Sequence, residues 1–150
     1  MKPEWRTDTN KPIDLSDEDP GHFQAYCEWL YTRKFVSKGA RHMQFSCLYV
    51  LGGKLMDKSF QEYALKALIS FVMTTNKYPP TAIIKYIYNG TSVGDPARRL
   101  MVDMWAFVIN PSWNSVQEDR DIVAETSTEF ANDVIRAFIN RRALPAGVVP

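Results

Sequence analysis

Four residues have the types that could hold a metal ion. His22 stands five residues before Cys27, and His42 five residues before Cys47. Imidazole nitrogen and thiolate are preferred zinc ligands. The spacing argues against a shared ion. Five residues on a helix is about 500° of rotation, which leaves the members of each pair roughly 140° apart. The ordinary reading is an exposed His22 in a first helical turn, a loop His42, and two reduced thiols in a core. No metal and no other cofactor is expected.

Acid–base chemistry would need a carboxylate on an apolar face. Asp103, inside LMVDMWAF, is the most unusual acid in the chain. Arg99 lies one helical turn before it, so a surface ion pair accounts for it without catalysis. The stretch YNGTSVGDP has two glycines, but no lysine follows and no strand leads into it, so it does not read as a phosphate loop. No serine sits in a strand–turn–helix elbow. An enzyme is therefore not expected. A pocket for a small molecule between helices, lined by Trp5, Trp105 and Trp113, is an alternative, although aromatics at such positions serve first as core.

The segment TRKFVSKGARH places Arg33, Lys34, Lys38 and Arg41 around Phe35. Cations beside an exposed ring can hold phosphates and stack a base. Arg98-Arg99 and Arg141-Arg142 add two basic pairs. The whole chain weighs against nucleic acid as its main partner. It has 150 residues with 18 Lys and Arg against 17 Asp and Glu, a formal charge of +1. Nucleic-acid binding through the basic 33–42 loop stays as an alternative reading.

The elements that must carry these residues are helices. Asp19 before Pro20 is a helix start: a side-chain acceptor for free N–H groups, then a residue that has no N–H to leave unpaired. Phe23, Tyr26, Cys27, Leu30 and Tyr31 follow at helical spacing and predict one inward stripe. Trp29 falls off that stripe, and Phe35 lies beyond the helix end. Before the helix, Ile13-Asp14-Leu15 alternates and allows one short strand. A second helix is expected over about 43–56 with Leu48, Leu51 and Leu55 inward. Gly52 and Gly53 within it call for close helix packing or a break, since a mid-helix glycine costs about 1 kcal/mol. A third helix follows, capped by Ser59 with Glu62 or by Asp57, with Phe60, Ala64, Ala67, Leu68 and Phe71 on one side. The two should form an antiparallel hairpin.

Asn76 and Tyr78-Pro79-Pro80 end that hairpin. They suggest a boundary between residues 1–76 and a helical extension over residues 77–150 packed on it. The extension opens with a short helix carrying Ile83, Ile84, Ile87 and Tyr88, stopped by Asn89-Gly90. Asp95-Pro96 starts another, with Leu100, Met101, Met104, Trp105 and Val108 inward. A short helix is allowed around 116–123. The last helix opens at Thr126 with Glu129 three residues on, and carries Phe130, Val134, Ala137 and Phe138. The tail ALPAGVVP is expected to fray. The fold class is all-α: about six helices in a compact bundle of hairpins. No run approaches the ~20 apolar residues of a membrane span, and the N-terminus lacks a signal peptide's apolar core. Two cysteines make no disulfide framework, so a reducing intracellular site, cytoplasmic or nuclear, is expected, with no membrane.

Several stretches fall in an order that resembles the C-terminal half of the BTB/POZ domain as found in filamentous fungi. These are Asp19-Pro20, Phe23, Trp29-Leu30-Tyr31-Thr32, Leu48-Tyr49-Val50-Leu51, Lys54-Leu55, Asp57, Ala67-Leu68, and Arg98-Arg99-Leu100 through Asp103. The resemblance covers roughly residues 13–142. Arg33 stands where the family usually has glycine, and Gly52 where it has alanine. The front half of the family's fold has no counterpart here, which implies a truncated relative, a divergent descendant or an excised piece. The resemblance implies a non-enzymatic protein–protein interaction module that self-associates. Some members of the family connect substrates to cullin-type ubiquitin ligases, a role the missing half puts in question. In the complete domain the helix of EWLYT packs on that missing half. Its apolar residues are then expected to find other cover, by rearrangement or in a homo-oligomer. The interaction residues so implied are Phe23, Tyr26, Trp29, Leu30, Arg33, Lys34 and Phe35, with Trp29, Arg33, Lys34 and Phe35 foremost in facing a partner.

Overall fold

The computed structural model describes residues 12–35, 41–108 and 126–141. They form six helices: α1 (Pro20–Thr32), α2 (Arg41–Lys54), α3 (Lys58–Thr75), α4 (Thr81–Gly90), α5 (Pro96–Val108) and α6 (Thr128–Arg141). The all-α expectation holds. No strand occurs among the described residues. Where the sequence allowed one, Asp14 instead holds a turn, its Oδ1 accepting from the Ser16 amide at 3.0 Å and the Ser16 hydroxyl at 2.6 Å. A short acidic side chain that binds its own backbone two residues on competes well against a strand with no neighbour.

The centre of the molecule is α2. Every residue from Phe45 to Leu51 is buried, which a helix reaches only when other elements cover it all round. Helices α1, α3 and α4 all pack on it. Gly52 is the price of that closeness. A Cβ there would lie 2.8 Å from Gln61 Cγ and 3.2 Å from the Gln61 amide nitrogen, so α3 can approach only a residue without one. The glycine pair marks close packing, and the helix runs on to Lys54. Gly90 serves the same purpose for α4, where a Cβ would lie 2.8 Å from both methyls of Val50. It is not the left-handed stop that Asn89-Gly90 suggested, since Thr91 ends α4 in an extended conformation.

Between α2 and α3 the chain turns through Met56 at φ 55°. The Met56 amide donates to Gly53 O at 3.1 Å and the Asp57 amide to Gly52 O at 2.9 Å. That is a Schellman closure with methionine where glycine is usual. Met56 is exposed, so its side chain gives little in return for the left-handed backbone. Met56→Gly is expected to raise the unfolding free energy by about 1 kcal/mol, read as a rise in Tm with the fold unchanged.

The caps follow the sequence closely, with two shifts. Asp19 Oδ1 accepts from the Gly21 amide at 2.6 Å, and Asp95 Oδ1 from Ala97 at 2.8 Å. Asp57, not Ser59, caps α3, accepting from Phe60 at 3.0 Å. Ser127, not Thr126, caps α6, accepting from Phe130 at 3.2 Å. Buried side chains from Ala25 to Phe130 form one cluster that crosses the turn at Asn76.

Candidate interaction surface

Helix α1 carries apolar residues on nearly every side, so two stripes compete to face inward. One is Phe23, Cys27, Leu30 and Tyr31. The other is Ala25, Tyr26 and Trp29. The second wins. Trp29 is only 3% exposed, while Phe23 and Leu30 are 42% and Tyr31 90% exposed. The expectation that Phe23, Leu30 and Tyr31 are core, with Trp29 facing a partner, is thus reversed. The reason lies in what α1 docks on. The Trp29 ring meets Phe60 at a centroid distance of 5.2 Å and Tyr63 at 6.2 Å. Tyr26 meets Phe60 edge-on at 4.9 Å, a favoured geometry. A flat, wide aromatic surface on α3 matches rings one turn apart better than it matches the thinner Cys27 and Leu30.

Phe35 also turns inward. It lies half-buried, 5.1 Å from Tyr63 and 5.9 Å from Phe45, and so is part of the aromatic core rather than a free stacking ring. Arg33 ends α1 with φ 56°, and its guanidinium sits 4.5 Å from the Trp29 ring centroid as a lid on that face. Lys34 is exposed. Of the residues the resemblance implied, Phe23, Leu30 and Lys34 face outward, Arg33 is exposed but engaged, and Tyr26, Trp29 and Phe35 belong to the core. Tyr31, which helical spacing places in the inward stripe, joins the outward group.

Tyrosine hydroxyls tie the helices together through acids, two of which already cap a helix. Tyr26 donates to Asp57 Oδ2 at 3.2 Å, and Asp57 is the α3 cap. Tyr49 donates to Asp95 Oδ1 at 2.8 Å, and Asp95 is the α5 cap. Tyr88 donates to Asp133 Oδ2 at 2.9 Å, joining α4 to α6. Burial pushes the phenols of Tyr49 and Tyr88 well above the usual tyrosine value, and their bonds to Asp95 and Asp133 push further. Burial does the same to Tyr86, which bonds the Cys47 thiol. The folded state thus holds these protons more tightly than the unfolded chain. Their contribution is complete below the unfolded value of about 10 and is lost as pH rises above it, by up to ~1.4 kcal/mol per pH unit for each phenol. An alkaline titration followed by circular dichroism is expected to show unfolding that starts above pH ~10, with a shallower slope in Tyr49→Phe.

Arg98 is the residue sequence reasoning misplaced most. Read as half of an exposed basic pair, it is 7% exposed. Its Nε donates to Thr91 Oγ1 at 3.1 Å, Nη1 to Glu129 Oε2 at 2.7 Å, and Nη2 to the carbonyls of Tyr88 at 2.7 Å and Thr91 at 2.5 Å. The guanidinium also stands 4.6 Å from the Tyr88 ring centroid. It is the staple of α4, α5 and α6, with four of its five N–H donors engaged inside the fold. The side chains of Arg41 and Arg141, together with Lys38, Arg142, Trp5, Trp113, the 116–123 helix and the tail, lie outside what is described.

Comparison with family models, curated proteins and solved structures returns no match. The site must therefore be read on its own chemistry. Among the described residues no three His, Cys, Asp or Glu side chains gather as a metal site would require. His42 Nε2 lies 2.7 Å from the Lys77 carbonyl with its ring against Phe71, and Cys47 is buried. Asp103 is half-buried on α5. Among the described residues no helix is long and apolar enough to cross a membrane. What α1 does present is an apolar strip over most of its length, on a helix held firmly from behind.

Proposed function

We propose that this protein is a non-enzymatic interaction module that self-associates through the outward face of α1. The observation that carries the reading is the exposure of Phe23, Leu30 and Tyr31 along one side of a single helix. Scattered apolar residues are ordinary on a protein surface, but contiguous ones mark contact sites. The resemblance of EWLYT and its neighbours to BTB/POZ domains, whose members self-associate, supports the same reading, and the protein is proposed as a relative of that family.

Magnitudes set the strength of the contact. Fully burying a side chain of this kind contributes about 1.5–3 kcal/mol. Two of the three are already partly covered, so the pair of strips supplies several kcal/mol per contact. Association costs at least about 4 kcal/mol in lost freedom of motion. The balance is a reversible contact with a Kd on the order of micromolar or weaker. Light scattering on a dilution series is expected to give a mass rising from one copy towards two. A single-copy mass at every concentration, with no binding of an apolar dye, would overturn the proposal.

A further inference from the structure

Resting on that reading, we infer that the contact is an antiparallel, two-fold pairing of α1 with α1 of a second copy, centred on Cys27. The charges at the two ends of the strip point to it. Asp14, Asp17 and Asp19 are exposed at the N-terminal end of α1, and Arg33 and Lys34 at the C-terminal end; Lys54 of α2 reaches the acidic end but is paired with Glu18, which leaves the three aspartates in excess there. Side by side in parallel, two such helices bring acid to acid and base to base. Antiparallel, each acidic end meets the basic end of the other copy, which steers the encounter and fixes the register. Glu28, exposed on the flank, lies near the middle of the strip and does not change this polarity.

The apolar residues have the symmetry such a pairing needs. In a two-fold contact residue i meets j and j meets i. Reversing the strip about Cys27 sets Phe23 against Tyr31 of the second copy, Tyr31 against its Phe23, and Leu30 beside its Gln24. Cys27 meets its own copy. It is half-buried on the strip, opposite in helical phase to Ala25 and Trp29. Helices in contact lie about 8–10 Å apart with Cα atoms about 2.3 Å from each axis, so facing Cα atoms come within roughly 3.5–5.5 Å. That is within disulfide reach. A 13-residue helix is about 20 Å long, short for a standard interface, which suits a reversible dimer.

The test uses the full chain. Copper phenanthroline with air takes two electrons and two protons from a pair of thiols and leaves one S–S bond. It is expected to convert the protein to a covalent dimer, to fail with Cys27→Ser, and to succeed with Cys47→Ser. Lys34→Glu is expected to weaken association about three- to tenfold at low salt. Asp17→Lys should do likewise, and the double variant should recover most of the loss. A parallel pairing predicts no such loss and recovery. If the wild type dimerises but Cys27 does not cross-link and the charge variants change nothing, this geometry is wrong while self-association stands. If the wild type is monomeric throughout, both fall.

Discussion

Replacing Arg98 with methionine is expected to destabilise the protein by about 3–5 kcal/mol, more than a change at any of the exposed cations. Methionine keeps the apolar stem, so lost packing is small. What it removes is the donor fork. The carbonyls of Tyr88 and Thr91 lose the guanidinium at a buried site, and each acceptor left unpaired costs about 1–3 kcal/mol. The ion pair itself contributes less. The Glu129 side chain is 45% exposed, so water screens it, and Glu129→Gln should cost under about 1 kcal/mol. Arg98→Lys keeps the charge but cannot reach all its acceptors at once, and falls between. Thermal unfolding measures the series. For a chain of this length Arg98→Met should lower Tm by roughly 10 °C. A Tm close to wild type would mean that α4, α5 and α6 do not depend on the staple.

Phe60→Ala comes next, at about 3–5 kcal/mol. Phe60 is fully buried, and its ring touches Tyr26, Trp29 and Phe35. Alanine opens a cavity under Tyr26 and Trp29 of α1. The loss therefore has a local signature: Trp29, now held against Phe60, should show red-shifted fluorescence before the rest of the molecule melts. Self-association should weaken in the same variant, because the outward strip is only as well placed as the face behind it. Phe60→Leu should cost less than half as much and keep association. Normal association in a Phe60→Ala protein that is still folded would separate the surface from the core that presents it.

The sequence was most legible where one residue does one thing. Asp19 and Asp95 cap as their types predict, Asn76 ends α3 in the left-handed conformation, and the four residues expected inward on α4 are the four it buries. It was least legible where side chains compete. In α1 helical spacing admits two apolar stripes, and the choice belongs to the aromatic surface of α3, which is distant in sequence. Arg98 looked like surface because its neighbour is Arg99. Its partners lie up to 31 residues away, on α4, α6 and the turn after α4, and no local pattern announces them. The glycines were half legible. Their cost within helices predicted close approach, but only the fold names Gln61 and Val50 as the groups that approach.

The central claim is that Phe23, Leu30 and Tyr31 face outward to meet a second copy. Sedimentation velocity of the wild type beside Tyr31→Lys tests it most directly. Tyr31 is 90% exposed, so the substitution should leave Tm within about 1 °C. The predicted result is a wild type whose sedimentation coefficient rises with concentration and a variant whose coefficient stays at the monomer value. Equal concentration dependence in the two proteins, or none in either, would contradict the account.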